Sequence, residues 1–488
     1  MRAGHRLMRH LFLTLGLLAL FSNQAGAEDA AAAKAARPNI VFILADDLGY
    51  TDLGCMGSNY YETPHIDKLA AQGMRFLSHH HCQNCTPTRA ALMSGQYPPR
   101  TGIYTVGTLE RGTPADRKLT VPDNKTDLPL SRRTIADQLK AAGYATGMFG
   151  KWHIGQTGDY HPSKRGFDEA IVTMGAHFKF KTQPAVEHPA DAYLADWLTD
   201  KAVDFIGRHK DQPFFLYLPH FGVHSPHDAK KELIAKFKNK PGAGGHDDPT
   251  YAAMIASIDE SVGRVVAKLD ELKLTDNTII LFASDNGGVG GYEDIGGKGI
   301  TDNAPLRGGK GMLYEGGTRV PLIFRWPGHT KPGTTTDVPT IHVDLYPTLL
   351  ELASAAKPAQ TLDGESLVPL ITGTADKLKR DAIYVHFPGY LEGYGTNQWR
   401  TTPVSTIQMG DWKLLEYFET GTKELYNLRD DPGERKNLAA AMPDKVEALH
   451  GRLSAWRSDL KAPVPQLKKP GENEEPAEKP KTKQKKNK

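Results

Sequence analysis

Residues 85–95 read Cys-Thr-Pro-Thr-Arg-Ala-Ala-Leu-Met-Ser-Gly. Pro87 suits the first turn of a helix, where a missing N–H is no loss and a fixed φ fits the entry. Ala90 to Met93 continue as helix formers, and Ser94-Gly95 end the run. Cys85 is thereby placed just before a helix N-terminus, where unpaired N–H groups favour an anion. Arg89, four residues on, can reach back toward Cys85. A nucleophile position, a positive helix end and a guanidinium describe a site for an oxyanion ester. Read alone, the same residues also allow a structural cysteine ahead of a helix.

Other clusters carry matching chemistry. The apolar run Ile40–Ala45 ends in Asp46-Asp47, and the run Thr278–Ala283 ends in Ser284-Asp285-Asn286-Gly287-Gly288. Asp and Asn favour turns in any case, but oxygen donors without histidine suit a hard cation, Ca²⁺ or Mg²⁺, rather than zinc. Gly150-Lys151-Trp152-His153 places a lysine and a histidine on one side of an extended segment. Pro219–His227 holds three histidines, His220, His224 and His227, in a strand-end loop. Leu306-Arg307-Gly308-Gly309-Lys310-Gly311 lets backbone pass close to a ligand. It is not a nucleotide P-loop, because no Gly-Lys-Ser/Thr ending follows. A cysteine phosphatase loop would need arginine at position 91, and Ala91 stands there.

Cys85-x-Pro87-x-Arg89 followed by Leu92-x-Ser94-Gly95 resembles the signature of the type I sulfatases, and the other clusters follow from Asp46 to Lys310 in that family's order. The resemblance implies that a formylglycine-generating enzyme converts Cys85 to Cα-formylglycine, whose hydrate is a geminal-diol nucleophile. It implies a cation, Ca²⁺ with Mg²⁺ as the alternative, held by Asp46, Asp47, Asp285, Asn286 and residue 85. By the same resemblance Arg89 steadies the nucleophile and Lys151 holds the sulfate and nucleophile. His153 is the base on the diol, His224 contacts the ester oxygen, and Lys310 binds the sulfate and stabilises the leaving oxygen. One departure is visible: some sulfatases place a serine in the stretch equivalent to Gly175-Ala176-His177, and here no serine occurs, so that contact is lost or taken over by His177. His177, His227, His386 and Arg400 are the candidate substrate contacts.

These residues need a frame. Continuous apolar runs at Ile40–Ala45, Phe214–Leu218 and Thr278–Ala283 read as strands buried on both faces. Helical patterns at Pro64–Met74, Thr134–Ala142, Tyr193–His209 and Tyr251–Leu272 alternate with them. The fold class expected is α/β: a large, mostly parallel central sheet flanked by helices, alkaline phosphatase-like by the resemblance, with its ligand site beyond the strand carboxyl ends. From residue 376 the pattern changes to short strands, Ala382–Phe387, Pro403–Met409 and Trp412–Tyr417, and then a helix over Asp444–Leu460. This resembles the small antiparallel C-terminal subdomain of sulfatases. The expected boundaries are a signal peptide over 1–27, a catalytic domain over 28–375, the subdomain over 376–462 and a disordered Lys/Glu/Pro-rich tail over 463–488.

Arg2, Arg6 and Arg9, the apolar run Leu11–Phe21 and Ala25-Gly26-Ala27 predict a cleaved secretory leader and a periplasmic or extracellular protein with no membrane span in the mature chain. A net charge of +3 on 488 residues gives no electrostatic case for nucleic acid. Three cysteines, Cys55, Cys82 and Cys85, make no second Cys-x-x-Cys for a zinc site, and a Cys55–Cys82 bridge stays open. The aromatic and polar loop with His386, Tyr390, Tyr394, Trp399 and Arg400 suits a sugar ring bearing anionic groups. The function expected is an exported sulfatase acting on a sulfated carbohydrate. A phosphonate monoester or phosphodiester hydrolase on the same kind of metal site is the alternative. A non-catalytic glycan-binding protein, with Cys85 left as a thiol, is the reading from another class.

Overall fold

A computed structural model of the chain describes residues 37–393 and 398–469. The leader over 1–27, Tyr394 and the end of the tail lie outside these residues. The central sheet has nine strands: β1 (Asn39–Ala45), β2 (Met74–Phe76), β3 (Ala145–Gly150), β4 (Glu169–Thr173), β5 (Thr182–Gln183), β6 (Phe214–Pro219), β7 (Thr278–Ser284), β8 (Leu322–Arg325) and β9 (Thr334–Thr336). Their spatial order is β9-β2-β8-β7-β1-β6-β3-β4-β5. The middle of the sheet is parallel, as expected, while β8 runs antiparallel to both β7 and β2 and β5 antiparallel to β4.

The apolar strands form because helices cover both faces. Val41, Ile43, Leu216, Leu218, Ile280 and Phe282 pack on one side with Pro64–Ala71 (α1), Leu194–Arg208 (α4) and Pro249–Glu271 (α5). Ile40, Phe42, Leu44, Phe215, Tyr217, Ile279 and Leu281 face the other side. There they meet Cys85–Ser94 (α2), Ile135–Ala141 (α3) and Leu345–Leu352 (α6). Successive residues of one strand thus serve opposite cores. Every residue of β1, β6 and β7 is buried.

The register brings the chemistry together. Ala45 pairs with Ser284 and Leu44 with Pro219, so β1, β6 and β7 end level with one another. Lys151 continues β3 by donating its N–H to the Pro219 carbonyl at 2.8 Å. Gly150 makes this crossing possible: its φ is +136°, and a Cβ there would lie 1.9 Å from the Pro219 oxygen. Four chain segments therefore deliver Asp46, Lys151, His220 and Asp285 to one edge.

The smaller sheet is antiparallel in the order β10 (Ala382–Phe387), β11 (Val404–Met409), β12 (Trp412–Tyr417) and β13 (Lys423–Asn427). Leu449 and Leu453 of α7 (Pro443–Leu460) cover one of its faces, over Ile407, Leu414 and Leu425. A buried ion group ties it to the larger unit: Lys413 Nζ lies 2.8 Å from Glu315 Oε1 and 2.9 Å from Glu434 Oε1. The first residues of the expected tail are ordered. Gln466 and Leu467 pair with Thr120 and Leu119 of the catalytic unit, because a backbone edge satisfies their polar groups despite the polar composition. Cys55, Cys82 and Cys85 are all free thiols, so no Cys55–Cys82 bridge forms.

Candidate active site

The helix α2 begins at Cys85 itself, after Asn84 in an extended N-cap conformation, and all ten of its residues are buried. The entry lies two residues earlier than Pro87 implied, and Pro87 takes the third helical position, where its absent N–H still falls in the unpaired first turn. Cys85 Sγ lies 3.4 Å from Asp46 Oδ1 and 3.9 Å from Asp47 Oδ1, and Lys151 Nζ donates to it at 3.4 Å. Donor atoms of Asp46, Asp47, Cys85 and His224 all fall within 4.8 Å of one another.

Arg89 serves a different partner from the one its spacing implied. One helical turn deeper than Cys85, it donates from Nε and Nη2 to Asp285 Oδ2 at 3.0 and 2.8 Å. Its Nη1 donates to the Lys151 carbonyl at 2.6 Å. A fork of this kind is the strong form of a charge-assisted hydrogen bond. Arg89 thus locks the end of β7 to the turn after β3.

Two non-glycine residues here hold left-handed backbone: Asp47 at φ +64° and His153 at φ +61°. Such conformations cost about 1–3 kcal/mol and persist where the surroundings dictate them. For Asp47 those surroundings are visible. Its N–H donates to Asp285 Oδ1 at 3.2 Å, and the Tyr251 hydroxyl reaches its carbonyl at 3.2 Å. The same hydroxyl donates to Asp52 Oδ2 at 2.7 Å, and Thr301 donates to Asp52 Oδ1 at 2.7 Å. Asp52 and Tyr251 went unrecognised in the sequence. Tyr251 reads as a core position of an amphipathic helix, and the only local hint is an aspartate six residues after Asp46.

Lys310 Nζ donates to Asp47 Oδ2 at 2.6 Å. Its backbone is held on both sides: the N–H donates to the Gly288 carbonyl at 3.0 Å, and its carbonyl accepts from Tyr292 Oη at 2.8 Å and Arg400 Nη1 at 3.1 Å. Arg400 therefore stands beside the cluster and grips Lys310. His224 Nε2 is 3.7 Å from Asp47 Oδ2, and its Nδ1 is 2.6 Å from the Ser225 carbonyl. His153 Nδ1 lies 3.3 Å from Thr86 Oγ1, one residue beyond Cys85. His177 is buried, stacks on Phe221 at 5.0 Å and bonds the His224 carbonyl at 2.8 Å, so it props the His224 loop. His227 packs edge-on to Tyr251 at 6.0 Å. His220 sits beneath, 2.9 Å from Ser261 Oγ.

His386 does not join the cluster. On β10 it is fully buried, with Nδ1 2.6 Å from Ser405 Oγ and Nε2 3.0 Å from the Pro463 carbonyl. Both nitrogens are used, and the substrate contact expected of it is replaced by a packing role. The aromatic context of His386 reflected the core of the small sheet.

Burial works against the charge on Asp46, yet Lys151, His224, Arg89 and Lys310 outweigh it and hold the carboxyl well below the usual range. Asp47 is lowered in the same way, chiefly by Lys310 and His224 acting against burial. Asp285 is pushed up to about 6 by burial and by the neighbouring Asp46, with Arg89 opposing. Burial, Asp285 and Asp46 raise the Cys85 thiol well above its usual value. Burial and Lys151 lower His153 well below the usual imidazole value.

The donor set fits a hard cation. Asn286 gives its amide nitrogen to Asp47 Oδ1 and to the Gly287 carbonyl, which leaves its own Oδ1 buried without a partner among the described residues. Three carboxylates here balance the charges of Arg89, Lys151 and Lys310, so a divalent ion would give the pocket a positive surplus suited to an anionic ester.

The Sulfatase family profile matches residues 38–355, and the N-sulphoglucosamine sulphohydrolase C-terminal profile matches residues 309–459. The chain is 34% identical to a sulfatase of Formosa agariphila, over 88% of this chain and 90% of that one. It is 32% identical to human arylsulfatase A, over 88% and 89% of the two chains. Among solved structures it is similar to Ps i-CgsB in complex with k-i-k-neocarrahexaose, with a TM-score of 0.74 at 31% identity over 87% of this chain and 93% of the other. No helix among the described residues is long and apolar enough to cross a membrane.

Proposed function

The chain belongs to the sulfatase family and is a sulfuric ester hydrolase, and from that premise we propose that it is exported and removes sulfate from a sulfated carbohydrate. The observation that carries the catalytic assignment is the placement of residue 85. It lies at a buried helix start, within 3.4 Å of both Asp46 and Lys151, in a pocket that also holds Asp47, Lys310 and His224. A thiol so placed is held protonated and is a poor nucleophile. That supports conversion of Cys85 to formylglycine.

Asp46, Asp47, Asp285 and Asn286 would hold Ca²⁺, with Mg²⁺ as the alternative, and the cation and the formylglycine would supply a Lewis acid and a hydrated-aldehyde nucleophile. The remaining work belongs to the chain's own side chains. Lys151 and Lys310 gather the sulfate oxygens and offset charge that develops as the ester bond breaks. Arg89 acts through Asp285, fixing that carboxylate at the strand end. His224 donates its Nδ1–H to the Ser225 carbonyl, so it is from the imidazolium form that its Nε2 would deliver a proton to the departing alcohol. His153, kept neutral by burial and by Lys151, accepts a proton from the nucleophile during release of sulfate. His177 holds the His224 loop, and we assign His227 and Arg400 to contact with the sugar.

Support for a carbohydrate comes from the similarity to Ps i-CgsB, a structure described with a neocarrahexaose, and from Arg400, which donates to the Lys310 carbonyl at 3.1 Å. The test uses protein co-expressed with a formylglycine-generating enzyme and its Cys85→Ala variant, assayed on nitrophenyl sulfate, phosphate and phosphonate esters. A panel of defined sulfated saccharides follows. Sulfate esters are expected to turn over only with Cys85 intact. Full activity in Cys85→Ala, or a phosphonate or phosphate preference, would overturn the assignment.

A further inference from the structure

The strand β8 runs antiparallel to β7 and carries the chain away from the catalytic edge: Leu322 is level with Ala283, and Arg325 with Ile280. Arg325 thus lies roughly 16 Å from Asp285 along the strand, at about 3.3 Å per residue. It is 7% exposed, and its Nη1 has no hydrogen-bond partner among the described residues. Burial lowers its pKa, and the distant charges of Asp270 and Asp276 do not offset that. Thr330, 4% exposed, also has an Oγ1 without a partner. Both side chains line a cavity of about 560 Å³ together with Gln72, His329 and Lys331. No carboxylate among the described residues lines it.

A buried guanidinium paired with no carboxylate within ion-pair distance among the described residues is costly. A buried hydroxyl without a partner adds a smaller penalty. An oxyanion resolves both, because the guanidinium offers a planar fork to two oxygens and the threonine hydroxyl and Lys331 can take a third. The catalysed reaction supplies such a group twice, as the ester on the saccharide and as the released ion. We propose that this cavity binds a sulfate group at a second site, separate from the catalytic pocket.

Calorimetric titration of the full-length protein with sodium sulfate tests this, with nitrophenyl sulfate hydrolysis reporting on the catalytic pocket. Two sulfate sites are expected in the wild type. The second should weaken at least tenfold in Arg325→Gln and severalfold in Thr330→Val, while turnover stays within twofold. A single site abolished by Lys310→Ala, or two unchanged sites in Arg325→Gln, overturns the proposal. Should Arg325→Gln fail to fold, Thr330→Val and Lys331→Ala decide by the same criterion. A sulfated disaccharide titrated into the Cys85→Ala protein distinguishes the sources. Binding tenfold tighter than free sulfate identifies a saccharide anchor, equal or weaker binding identifies the released ion, and a cavity that takes neither sinks the idea.

Discussion

Asn286 and Asp47 are joined by one hydrogen bond, from the asparagine Nδ2 to the aspartate Oδ1 at 2.9 Å. This bond and the one to the Gly287 carbonyl fix the amide plane, so the remaining oxygen is buried with no donor to accept from among the described residues. A buried acceptor left unmet costs about 1–3 kcal/mol. The pair is thus strained toward a cation before any cation arrives, and the left-handed backbone of Asp47 adds to that strain.

Calcium should therefore stabilise the wild type and do little for Asn286→Ala. A ligand that binds only the folded state at 100 times its dissociation constant contributes about 2.7 kcal/mol. Thermal unfolding with chelator and with excess Ca²⁺ is the measurement. The wild type should gain several degrees, and Asn286→Ala should need at least tenfold more Ca²⁺ for the same gain. An equal response in both proteins would remove Asn286 from the cation site.

Arg89→Met should be among the most damaging single substitutions at this edge, because it strands the buried Asp285 carboxylate. Breaking one side of a buried pair costs about 3–5 kcal/mol. Arg89→Lys should recover only part of that, since an ammonium cannot reproduce the two-pronged bond to Asp285 or the bond to the Lys151 carbonyl. Urea unfolding gives the stabilities. In Arg89→Met/Asp285→Asn stability should return while sulfatase turnover stays down by roughly 10²-fold or more. A double variant as unstable as the single one would show that the pair is not the origin.

Local signals carried much of this site, and their limits are physical. The strands β1, β6 and β7 were legible because burial on both faces demands unbroken apolar runs, and the acids at their ends announced themselves. The four helices and the small sheet matched their periodicity within a few residues. What spacing cannot reveal is partner choice across the fold. Arg89 meets Asp285 rather than Cys85 because the helix carries it past its own N-terminus to the end of a strand nearly two hundred residues away. Asp52 meets Tyr251 across a similar separation, and Lys413 of the small sheet meets Glu315 of the larger unit about a hundred residues away. His386 misled because aromatic neighbours in a short strand look alike whether they face a sugar or a core.

Tyr251→Phe isolates the missed support of Asp47. The hydroxyl donates to Asp52 and also lies 3.2 Å from the Asp47 carbonyl. Its loss should cost about 1 kcal/mol of stability and weaken Ca²⁺ binding severalfold, because Asp47 is then freer to leave its left-handed conformation. A merely structural hydroxyl would lower stability with Ca²⁺ affinity unchanged. Calcium titration followed by calorimetry separates the two outcomes.

Glu434 should make the junction between the two sheets sensitive to pH. Its Oε1 lies 2.9 Å from Lys413 Nζ, and its Oε2 accepts the Glu315 N–H at 2.6 Å. Burial and the neighbouring Glu315 carboxylate push its carboxyl up to about 7 from 4.5, and Lys413 opposes them. The folded protein therefore holds this proton more tightly than the unfolded chain does. Its contribution is fully present below about pH 4.5 and is lost as the pH rises through about 7. Glu434→Gln mimics the protonated form and cannot titrate. Relative to the wild type, the variant should be favoured more at pH 8 than at pH 5.5, whatever its absolute stability. Urea midpoints of both proteins at the two pH values test this. A difference that does not change with pH, or that grows toward acid, would place the ionised form of Glu434 at the junction instead.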